Sequence, residues 1–74
     1  MTTADRLGET ITDITGNPHP AVLTVAQFAQ ILGISGITVR RMLERGDIQE
    51  VKIPGTMVKR IPVDEVYRIL GGDD

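Results

Sequence analysis

Leu23-Thr24-Val25-Ala26-Gln27-Phe28-Ala29-Gln30-Ile31-Leu32-Gly33-Ile34-Ser35-Gly36-Ile37-Thr38-Val39-Arg40-Arg41-Met42-Leu43-Glu44-Arg45-Gly46 carries two short helices and the turn between them. Thr24, with Gln27 three residues on, has the form of a capping box, and Leu23 with Phe28 supplies the apolar pair that staples a helix entry. Val25, Phe28, Ala29 and Leu32 recur at i, i+3, i+4 and i+7, one apolar face about two turns long. Gly33 then permits the left-handed exit that ends a helix. Ser35 is the next cap, and Val39, Met42 and Leu43 form the stripe of a second helix ending at Gly46. Every position that must be apolar, small or turn-forming for two helices to cross closely is suitably filled. Ala29 matters most, because a larger side chain there would push the helices apart.

Downstream, Val51-Lys52-Ile53 and Val58-Lys59-Arg60-Ile61 are β-branched runs flanking Pro54-Gly55, a pair suited to the centre of a type II turn. They predict a hairpin with Thr56 and Met57 widening its tip. After Pro62, Val63, Val66, Tyr67 and Leu70 repeat the helical spacing, with Asp64 and Glu65 where a helix start favours anions and Gly71-Gly72 as the stop. The sum is a small α+β winged helix-turn-helix: a helix-turn-helix, a two-stranded β-hairpin wing and a C-terminal helix, spanning residues 21–71. Upstream, Leu7, Ile11 and Ile14 lie at helical spacing behind Thr2 and Thr3, but Gly8 and three further threonines, Thr10, Thr12 and Thr15, oppose a stable helix. Gly16-Asn17-Pro18-His19-Pro20 reads as a linker. Residues 1–20 are therefore expected to form a flexible segment and linker, its first part a frayed helix or disordered, and residues 72–74 an acidic tail.

With 74 residues there is room for one domain and one modest core, which disfavours a substrate-enclosing enzyme. The absence of cysteine removes disulfides and thiolate zinc sites as supports and suits a reducing cytoplasm. No apolar run approaches the ~18 residues of a membrane span, and the start of the chain lacks a secretory layout, so a cytoplasmic protein without a membrane partner is expected. The net charge is −2, yet the first twenty residues carry Asp5, Glu9 and Asp13 against Arg6, and the tail adds Asp73 and Asp74, which leaves the middle at +2. Arg40, Arg41, Arg45, Lys52, Lys59 and Arg60 supply most of the cations there, a modest basic surface suited to nucleic acid.

Turning about 100° per residue from Val39 places Ile37, Arg41, Glu44 and Arg45 opposite the core stripe, with Thr38 and Arg40 at the flanks. Arginine grips guanine O6 and N7 with two parallel bonds, threonine contacts a base edge or phosphate, and an apolar Ile37 suits a thymine methyl. Lys52, Lys59 and Arg60 on the hairpin suit phosphates, which set register and affinity without reading sequence. Ser35 and Thr24 are explained by capping already, with a phosphate contact as a second use. The ordinary alternatives are a solvated arginine face and a β-ribbon whose charges blunt an exposed edge. Enzymatic chemistry has little support, since His19 sits between two prolines and no nucleophile or metal-spaced carboxylates converge with it.

Leu23-Thr24-Val25 through Leu32-Gly33-Ile34-Ser35, then Thr38-Val39-Arg40-Arg41, Gly46 and Arg60-Ile61-Pro62, resemble the excisionase-type winged helix, a small MerR-like module, and are most similar to excisionases of phages infecting actinobacteria. The resemblance covers about two-thirds of the chain. It implies a recombination directionality factor without catalysis or cofactor of its own. Such a protein binds double-stranded attachment-site DNA, bends it, and lets a phage integrase run in the excisive direction. The implied DNA contacts are Ser35, Gly36, Ile37, Thr38, Arg40, Arg41, Arg45, Lys52, Thr56, Lys59 and Arg60. Gly36 departs from the family, which often carries arginine there, as do Thr56 and Met57 at a wing tip where a basic residue is common. Thr38, Arg40, Arg41, Lys59 and Arg60 are left as the stronger contacts. A transcriptional regulator on the same module and a protein-binding adaptor presenting Ile37 and Met57 remain alternatives. MerR-type regulators add a long dimerising helix that this chain does not show, so further copies on adjacent sites are expected instead.

Overall fold

The capping box forms as its spacing requires: the Gln27 amide donates to Thr24 Oγ1 and the Thr24 amide to Gln27 Oε1, each at 3.0 Å. In the computed structural model, which describes residues 3–56 and 58–71, the helix after this cap is Val25–Leu32. It ends at Gly33, whose φ of 72° needs the left-handed region that glycine enters without penalty. There the Ile34 amide donates back to the Ala29 carbonyl and the Gly33 amide to that of Gln30, a Schellman closure. Three residues later the next helix, Gly36–Arg45, starts under the Ser35 cap and closes at Gly46 in the same way. Numbered in chain order, these are α2 and α3, because a helix precedes them.

That helix, α1 (Thr3–Thr15), corrects the expectation of a flexible segment over residues 1–20. Leu7 and Ile11 are buried in the same core cluster as Phe28 and Val66, with Ile14 packed against it. Its weak intrinsic propensity is overridden because one apolar face is buried against α2 and the C-terminal segment. The threonines are accommodated inside the helix, Thr12 and Thr15 each donating a hydroxyl proton to the carbonyl four residues back. Gly16 to Pro20, the expected linker, carry no helix or strand.

The expected two-stranded hairpin forms, and a third strand that was not anticipated joins it in one sheet. β2 (Val51–Lys52) and β3 (Lys59–Pro62) form the expected hairpin, antiparallel with Val51 opposite Arg60 and Lys52 opposite Lys59. β1 (Val22–Leu23), immediately before α2, adds to the other edge of β3, with Val22 opposite Pro62 and Leu23 opposite Ile61. The order is β1-β3-β2, so the wing is anchored through its central strand to the entry of the helix pair. At the wing turn the Thr56 amide donates to the Ile53 carbonyl, and Gly55 has φ 81°, as the third residue of a type II turn requires. Met57, at the expected wing tip, and residues 72–74, the expected acidic tail, lie outside the described residues.

After Pro62 the chain turns into α4 (Asp64–Val66), which widens into a π-helical turn at Tyr67–Gly71 packed on α1. Ile11, Leu23, Phe28, Val39, Ile61 and Val66 are fully buried, one from each of six elements, so the protein is a single small α+β winged helix-turn-helix around one core. Glu65 stands in the first turn of α4, as its reading as a helix-start charge expects, and has a second role. Its carboxylate is buried, accepts from the Gln49 amide at 2.8 Å and pairs with Arg68, which donates in turn to the Asp47 carbonyl. The connection from α3 to β2 is thereby tied to α4.

Candidate nucleic-acid interface

Val39 is fully buried, and Met42 and Leu43 pack against the core. This fixes the rotation of α3 about its axis, and its opposite face carries Ile37, Thr38, Arg40, Arg41, Glu44 and Arg45, all exposed. Among the described residues the one ion pair is Arg68 with Glu65, so no carboxylate there neutralises Arg40, Arg41 or Arg45. Their charges stand free for an anionic partner. The rotation anticipated from the spacing of the apolar residues is the one observed.

Ser35 and Thr38 are less available than their exposure implies. The Thr38 amide donates to Ser35 Oγ at 3.1 Å, and the two hydroxyls are bonded to each other at 2.9 Å. The cap leaves the amides of Gly36 and Ile37, at the first turn of α3, without a partner inside the helix. A backbone phosphate is a natural acceptor for such groups. At Gly36 an added Cβ would meet no heavy atom within 4 Å, so the position is open space beside that helix start.

The wing divides its basic residues between two places. Lys59 and Arg60 face Arg40 and Glu44 of α3 across a cleft of about 450 Å³, whose floor includes Thr24 and Val25 at the start of α2. Three cations thus converge where the partial positive charge of a helix N-terminus also points, an arrangement that favours a phosphate. Glu44 is the one carboxylate on the rim. Lys52 and Thr56 do not line this cleft; they line a smaller groove along the wing with Glu50, Val58 and Lys59. Thr56 is committed to the turn, its hydroxyl donating to the Ile53 carbonyl and accepting from the Val58 amide.

The side chains that orient these surfaces were not anticipated. Glu65 and Arg68 hold Gln49 and Asp47, and hence set where the wing leaves α3. The residues involved are 16 and 21 positions apart, and no local pattern announces such a bond. The convergence of Thr24, Arg40 and Lys59 was equally invisible, although each residue has a local role of its own.

No helix among the described residues is long and apolar enough to cross a membrane. A family model described as a helix-turn-helix domain matches residues 22–71, more than half of the chain. No curated protein and no solved structure matches it.

Proposed function

The chain belongs to the helix-turn-helix domain family, which includes excisionase-like DNA-binding proteins; from this we propose that it is a sequence-specific binder of double-stranded DNA acting as an excisionase. The observation that carries the DNA reading is the convergence of Arg40, Lys59 and Arg60 on one cleft beside the exposed basic face of α3. In the proposed complex α3 lies in the major groove with Arg41 toward base edges, while the cleft and the wing grip phosphates on the flanking backbone. The excisionase assignment is supported by the motif resemblance over α2, α3 and β3 and by the family.

In that role the protein performs no catalysis and works in the cytoplasm. It binds attachment-site DNA, bends it, and presents a geometry that a phage integrase resolves toward excision. Bending a site of this size costs of order 1 to 6 kcal/mol, which several copies on adjacent sites together offset.

The test is selection of bound duplexes from a random DNA library, followed by gel shifts on the enriched sequence over a range of protein concentrations. Direct repeats about one helical turn apart, giving a ladder of complexes, are expected. An inverted repeat bound in a single step would replace the excisionase role with that of a dimeric MerR-like regulator. No enrichment of any sequence would refute sequence-specific binding altogether.

A further inference from the structure

Ile37 is 66% exposed, the most open of the large apolar side chains among the described residues. It belongs to no part of the core cluster, so packing does not account for it. It is the second residue of α3, in the first turn, the part of a recognition helix that comes closest to base edges. An isoleucine held in water beside three unpaired arginines forgoes the burial that favours such a side chain. DNA that occupies this face would cover it.

The neighbouring groups narrow what Ile37 meets. Ser35 and Thr38, on either side, bond to each other through their hydroxyls and so offer little to a base. Arg41 lies four residues on, above Ile37 on the same helix face, at the ~6 Å spacing of such pairs. The major-groove edges of base pairs present donors and acceptors almost throughout. The apolar exception is the C5 methyl of thymine.

We propose that Ile37 is a specificity-determining residue that packs on a thymine methyl in the major groove, one to two base pairs from a guanine held by Arg41. The assignment rests on the DNA reading above and deepens it by naming the base chemistry. Arg41 supplies the hydrogen-bonded half of the readout and Ile37 the apolar half. At ~3.4 Å per base pair along a strand, their separation spans neighbouring steps of the site.

The experiment uses the duplex enriched from the random library, with each thymine replaced in turn by deoxyuridine. That replacement removes the methyl and leaves pairing unchanged. Binding by the parent is expected to fall about three- to fourfold at one thymine of the site, the value of one buried methyl-sized group. In Ile37→Ala the same replacement is expected to have no effect, and the variant should melt like the parent because Ile37 supports no core contact. Uniform affinity of the parent for all uridine duplexes would overturn the proposal. So would an equal loss in parent and variant, which would give the methyl to another side chain. Should the parent show no sequence preference, the DNA reading itself falls and this assignment with it, an outcome distinct from a bound duplex whose methyl groups are silent.

Discussion

Replacing Ile11 with alanine removes three carbons from a side chain with no exposed surface. At about 0.8 kcal/mol for each buried methylene-sized group the transfer loss alone is roughly 2.4 kcal/mol. Incomplete collapse around the void raises it, so a cost of about 2 to 5 kcal/mol is expected. A 74-residue domain has roughly 4 to 11 kcal/mol of stability in total. The change therefore removes a large share of what holds the protein folded. Urea denaturation followed by circular dichroism would read it, with Glu9→Ala, on the exposed side of α1, expected within about 0.5 kcal/mol of the parent. With a slope near 1 kcal/mol per molar urea, the midpoint should fall by about 2 M or more. DNA affinity, measured at a temperature where Ile11→Ala remains folded, should be unchanged, since α1 contributes nothing to the cleft or to the exposed face of α3. A midpoint shift of a few tenths of a molar would show that α1 is not part of the cooperative unit, and the reasoning from its burial would be wrong.

Other substitutions probe the binding face and its support. Arg41→Ala is expected to cost about 1 to 3 kcal/mol of affinity and relax sequence preference, while Lys59→Ala should weaken all sequences alike and reduce the salt slope by about one; gel shifts at several salt concentrations separate the two. Glu65→Ala removes the acceptor for the Gln49 amide and should destabilise by about 1.5 to 3 kcal/mol, most of it from the lost bonds to a charged group. Its half-exposed partner Arg68 contributes little of that through the ion pair itself. Hydrogen exchange should show the Gln49 amide losing protection first, and retained protection there would refute the tie. At Gly36 an added Cβ meets no heavy atom within 4 Å, so Gly36→Arg should be tolerated and should steepen the salt dependence by about 0.9 in log–log slope through one more phosphate contact; a lowered melting temperature would contradict the open space assigned to that position.

The candidate site was legible where its logic is local. Thr24 with Gln27, Ser35 with Thr38, and the glycine exits at Gly33 and Gly46 each act over three to six residues, and their spacing states the bonds that form. The rotation of α3 was equally legible, because Val39, Met42 and Leu43 must turn inward and the arginines are thereby turned out. Ser35, Thr38 and Thr56 were harder to rank as DNA contacts. Their composition suits phosphate binding, but whether a hydroxyl is already engaged depends on where its neighbours come to rest.

The linear pattern of residues was enough to establish a winged helix-turn-helix with an exposed basic face on α3, since capping, apolar periodicity and turn chemistry are properties of short segments. Tertiary structure alone decided that α1 is ordered, that β1 completes the sheet, that Arg40, Lys59 and Arg60 share a cleft, and that Glu65, at the start of α4, is also a buried tie to Gln49. In each of these the local preference is weak or contrary: Gly8 and the threonines disfavour α1, and two residues make no strand alone. The outcome was settled by burial and by hydrogen bonds between distant segments, whose free energy exists only once the chain has closed on itself.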